Sequence, residues 1–170
     1  YMSDLMREAG VVADFVRERA GGNPFFAEEL IYAMRDGGLV KVVTEDGVAR
    51  CIISAAFGAE REFQRVVQAL PDTIQGIILS RIDRLPPERQ LALKVAAVIG
   101  RTFGYTTLYD TLGEHMEISN RLLRTYLEEL TRLDLTPLEA PEPELTYIFK
   151  HIITQEVAYE TLLFAQRRQL

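Results

Sequence analysis

Four residues near the front, Gly21-Gly22-Asn23-Pro24, set a helix stop against a helix start and fix where the chain must turn. Either glycine can take the left-handed conformation that closes a helix. Asn23 is a strong N-cap. Pro24 suits the first helical position, where no backbone donor is needed and its φ is already right. Phe25-Phe26 and Glu28-Glu29-Leu30 follow directly. The expected product is a rigid elbow with a proline at its tip, an edge suited to the flat face of a nucleotide base. On their own these residues are also ordinary helix punctuation.

The chain's 170 residues are 48% hydrophobic and 26% charged, enough for one substantial core or two small ones. A net charge of −6 gives no footprint for nucleic acid or a membrane surface. No apolar run in these residues reaches membrane-spanning length, and no signal peptide is expected. The single cysteine, Cys51, excludes an internal disulfide framework and suits a reducing, cytoplasmic compartment. It lies in a strand-like run and reads as a small core residue rather than a nucleophile. Tyr1-Met2 opens inside a helical pattern, so the chain is expected to be part of a longer one.

Periodicity predicts a mainly α chain with small β-hairpins. Short helices are expected over residues 3–9 and 11–20, and another from Pro24 to about Arg35, ended by Asp36-Gly37-Gly38. Glu28-Glu29 read as a solvated first turn. Leu39–Val43 and Val48–Ile53 flank Thr44-Glu45-Asp46-Gly47, a hairpin signal. Residues 54–68 are ambiguous, with a helix at 61–70 as one reading. A helix opens at Pro71-Asp72 and runs to about Arg84.

The pattern changes near Leu85, which divides the chain into 1–84 and 85–170. Leu85-Pro86-Pro87-Glu88 starts a helix that is apolar nearly all round and ends at Gly100. Helices at 106–112 and 118–133 follow, the latter with Leu122, Leu123, Tyr126, Leu127, Leu130 and Leu133 apolar. Strands are expected at 135–138 and 145–149, around an acidic loop with Glu139, Glu142 and Glu144. Three helices and a two-stranded hairpin make the order of a winged helix. A last helix starts near His151, with Arg167 and Arg168 complementing its dipole. His115 follows Gly113 in a loop and carries no role.

Three segments occur together: Gly22-Asn23-Pro24-Phe25-Phe26 through Leu30, Leu70-Pro71-Asp72-Thr73-Ile74 through Pro86, and Phe149-Lys150-His151 through Glu160. The combination resembles the signal-transduction ATPases with numerous domains, a branch of the P-loop NTPases. It looks most like the predicted ATPases fused to bacterial class III adenylate or guanylate cyclase domains, and the resemblance covers essentially the whole chain. It implies a helical AAA-type lid followed by a winged-helix domain. It implies that Pro24 touches adenine and that His151 reaches the β-phosphate of bound ADP. Lys150 is a weaker phosphate candidate, since in a strand it would point away from its neighbours.

No Gly-x-x-x-x-Gly-Lys-Ser/Thr loop occurs, so this chain has no cradle for phosphates and no catalytic residue is assigned. The implied partner is a P-loop core upstream in the same parent, an ATPase that would bind ATP or ADP with magnesium. No nucleotide is expected to stay on this segment alone. The expected function is a regulatory lid and winged helix, controlling a cyclase or similar output, with oligomerisation in the active state. The alternatives are a DNA-binding winged helix and a protein-interaction scaffold. Against DNA stand Glu117, Glu128 and Glu129, which offset Arg121, Arg124 and Arg132, and the acidic wing. Two histidines and one cysteine, far apart, do not make a zinc site.

Overall fold

The computed structural model describes residues 2–45, 47–54, 60–114, 117–141 and 143–162. His115, Glu142, Arg167 and Arg168 lie outside them. The described chain is mainly helical with two small antiparallel sheets. It divides into two compact units, Tyr1–Arg81 and Ile82–Leu170, the division falling ahead of Leu85.

In the first unit the expected pair of short helices is one helix, α1, Met2–Ala20. Gly10 does not break it. A lone glycine inside a helix costs only about 1 kcal/mol relative to alanine, and no cap or proline stands beside it. Helix α2 runs Pro24–Asp36. Its end is closed by two reversed hydrogen bonds: the N–H of Leu39 donates to Met34 O at 2.8 Å and that of Gly38 to Arg35 O at 2.9 Å. Gly38 has φ 69°, the left-handed geometry such a stop requires. Strands β1, Val40–Glu45, and β2, Val48–Ile53, form the expected hairpin, with Val42 opposite Cys51. Helix α3, Glu60–Val67, resolves part of the ambiguous stretch as helix.

Helix α4, Ile74–Asp83, starts later than Pro71-Asp72. Thr73 accepts the N–H of Gly76 on its hydroxyl at 3.1 Å and so caps the helix in place of Asp72. Val12, Val16, Leu30, Met34, Leu39, Phe63, Val67 and Ile77 form one buried cluster. Burying each such side chain contributes roughly 1.5–3 kcal/mol.

The second unit is built around α5, Pro87–Ile99, which packs against α6, Tyr105–Gly113, α7, Asn120–Arg132, and α8, Ile152–Glu160. Ala92, Leu93, Val95, Ala96 and Ala97 are buried, and Leu91, Val98 and Ile99 are half-buried, which suits a central helix. Ser119 caps α7 by accepting the N–H of Leu122 at 3.2 Å. Leu122 itself is 40% exposed and does not join the apolar face that Leu123, Tyr126, Leu127 and Leu130 bury.

The sheet differs from the expected hairpin. It has three strands in the order β3-β5-β4: Thr102–Gly104, Thr146–Ile148 and Leu138–Ala140. β3 pairs Phe103 with Tyr147, and their rings stack at 5.8 Å. β4 begins later than Leu135 because the chain first wraps back on α7. Asp134 takes φ 59°, and the N–H of Leu135 donates to Leu130 O at 3.0 Å.

That wrap buries Thr136 completely, with no hydrogen-bond partner for its hydroxyl. Thr136→Val keeps the shape and removes the orphaned group. It is expected to stabilise the second unit by about 1 kcal/mol, seen as a higher midpoint in thermal unfolding. A fall of similar size would mean that the hydroxyl is satisfied.

Candidate functional site

The elbow is built as its residue types demand. Gly21 and Gly22 both have positive φ, 56° and 83°, and the N–H of Asn23 donates to Ala20 O at 2.9 Å. The side chain of Asn23 accepts the N–H groups of Phe25 and Phe26 at 3.0 and 3.3 Å. Pro24 takes the first position of α2 and is exposed. Phe26 folds inward against the core, which ties the elbow to the unit it projects from.

Pro24 also rims a cavity of about 550 Å³ held between α1, α2 and β2. Val12, Val16, Ala27, Ile31 and Cys51 line it, and Arg17 is the charged residue among its lining. The alanines at 9, 13, 20 and 27 leave the space. Its volume falls in the range of small-molecule sites, about 300–1,000 Å³. Burial pushes the Cys51 thiol above its ordinary pKa, so at neutral pH it is a protonated, weakly nucleophilic wall of the cavity.

The opposite face of α2 corrects one expectation. Glu29 is 1% exposed, not solvated. Its carboxylate meets Arg81 Nη1 at 2.7 Å, while Arg81 Nε meets Asp36 Oδ2 at 2.8 Å. The Arg81 guanidinium also lies over the Tyr32 ring, 4.9 Å from its centroid, with Arg35 at 4.7 Å. The Tyr32 hydroxyl donates to Glu28 at 2.8 Å. α2, which carries Pro24, is thus fastened to α4 by a buried ion cluster. A signal for it was present: Arg81 continues the inward stripe of Ile77, Ile78 and Ile82, where a charge must find partners.

In the second unit His151 is the N-cap residue of α8, half-buried, with extended backbone at φ −130° and ψ 140°. Lys150 and His151 lie past the end of β5, so strand alternation does not separate them as expected. Their backbone is pinned on both sides. The N–H of Phe149 donates to Arg101 O at 2.8 Å, that of Lys150 to Leu135 O at 3.1 Å, and the His151 carbonyl accepts from Thr154 N–H at 3.1 Å. The amino end of a helix favours anions, and His151 stands at that end of α8. Pro24 and His151 belong to different units.

Among the described residues, no three histidine, cysteine, aspartate or glutamate side chains converge on a point that could hold a metal ion, and no helix is long and apolar enough to cross a membrane. Comparison with family models, with curated proteins and with solved structures returns no match to this chain.

Proposed function

We propose that the chain is the lid and winged-helix module of a nucleotide-switched signalling ATPase, working with a P-loop core of the same parent. The observation that carries this reading is Pro24: an exposed, rigid ring at the first turn of α2, on the rim of an apolar cavity of about 550 Å³. A base laid on that edge would be held by apolar contact. The order helix, strand, helix, helix, strand, strand in the second unit supports the winged-helix assignment. His151, fixed at the amino end of α8, supports the role of phosphate sensor. Magnesium would be held by the core and by the nucleotide it binds. The output, a cyclase or a similar domain, follows the resemblance alone.

Pro24→Ala in the intact parent tests the reading. Alanine is acceptable at the first helical position, so stability should move by about 1 kcal/mol or less. Losing the ring's contact, at about 0.8 kcal/mol per buried methylene, should weaken adenine nucleotide binding about tenfold. A drop in thermal stability with unchanged affinity would make the elbow purely structural.

The 170-residue chain alone should not hold ATP or ADP tightly, because phosphate contacts supply most of the binding energy and a P-loop makes them. Calorimetry decides this. A micromolar dissociation constant, about −8 kcal/mol, would contradict placing the binding energy in the core.

A further inference from the structure

Asn23 closes the amino end of α2 with one half of its amide and leaves the other half free. Oδ1 accepts from two backbone groups, the N–H of Phe25 at 3.0 Å and that of Phe26 at 3.3 Å. Those donors fix which way the amide is turned, since only its oxygen can accept. Both lone pairs of that oxygen are thereby engaged. The Nδ2 group has no partner among the described residues. Asn23 is exposed and lines the apolar cavity beside Pro24. Arg17 also lines it, with its Nη1 paired to Asp14 at 2.6 Å. The remaining lining side chains are aliphatic, apart from the protonated Cys51 thiol. A flat group bound there meets carbon on its face and an uncommitted amide donor at the elbow.

We propose that the Asn23 amide donates a hydrogen bond to a ring nitrogen of the purine that lies on Pro24, so that one residue both caps α2 and reads the base. The inference rests on the placement of the base at Pro24 proposed above. An asparagine with both ends of its amide free pairs with adenine through a donor and an acceptor together. Here the helix holds the oxygen, so only the donor is offered. Its partner must be a lone pair, and the adenine ring carries these on N1, N3 and N7. The donor is also pre-positioned. Gly21 and Gly22, at φ 56° and 83°, set the backbone, and the two capping bonds set the side chain. Little rotamer freedom is left to lose on binding.

Titration calorimetry on the intact parent tests this with ADP and its 1-deaza, 3-deaza and 7-deaza analogues, each of which replaces one ring nitrogen by C–H. Asn23→Asp and Asn23→Ser both keep a capping oxygen, so their thermal unfolding midpoints should stay close to wild type. Both lack the amide donor and should bind ADP about three- to tenfold more weakly. One of the analogues should lose as much on the wild type. It should lose nothing further on Asn23→Ser, because there the bond is already gone. Equal losses for every analogue on wild type and variant would overturn the role of Asn23. So would ADP affinity within about twofold of wild type in Asn23→Ser while Pro24→Ala weakens it, which leaves the base on Pro24. If neither variant changes ADP affinity, the placement of the base fails and this inference fails with it.

Discussion

Arg81→Met should destabilise the first unit by about 3–5 kcal/mol, the cost of breaking a buried pair and leaving a charge behind. Arg81 and Glu29 are each 1% exposed at the side chain and Asp36 is 10% exposed. Without the guanidinium, Glu29 keeps its burial and loses its cationic partner. Asp36 suffers less, since Arg35 Nε lies 3.0 Å from its other oxygen. The second change identifies the mechanism. Adding Glu29→Leu removes the stranded charge and should recover most of the loss, because apolar replacement of a buried pair is often neutral or better. Urea unfolding followed by a probe in the first unit reads both. A cost of about 1 kcal/mol or less for Arg81→Met would show that the cluster is hydrated rather than buried. On the proposed function the loss would reach nucleotide binding as well, since the same cluster fastens the helix that carries Pro24.

What could be read from the sequence was local. The elbow at 21–24 was legible because its cap, its proline and both left-handed glycines act within one turn of each other. Strand β2 and the hairpin turn at Gly47 were legible for the same reason. Glu29 was misread because its partner lies 52 residues away, and only packing brings α4 beside α2. β3 went unseen because three residues, Thr102–Gly104, carry no period; the strand exists through its pairing with β5. The acidic loop was read for its charge alone. Glu144 spends its charge on the N–H of Thr106, a partner 38 residues away. Pro24 was legible as a position and its cavity was not, since that space depends on small residues drawn from two helices.

His151→Ala in the intact parent should weaken ADP by about 10- to 150-fold, the value of a hydrogen bond to a charged phosphate, roughly 1.5–3 kcal/mol. The backbone around His151 is pinned to Arg101 and Leu135, so removing the imidazole should leave the position of α8 unchanged. On the proposed function, the contact forms only in the closed, ADP-bound state. The open form therefore gains population in the variant, and basal output rises. ATP binding should change far less, which separates sensing from general damage to the site.

The ratio of ADP to ATP dissociation constants, measured by titration calorimetry on the intact parent and on its His151→Ala variant, tests nucleotide sensing most directly. The variant should shift that ratio about tenfold or more against ADP, with its thermal unfolding midpoint close to wild type. An unchanged ratio, with both affinities and basal output as in wild type, would contradict the sensor role and leave His151 as a residue at a helix end.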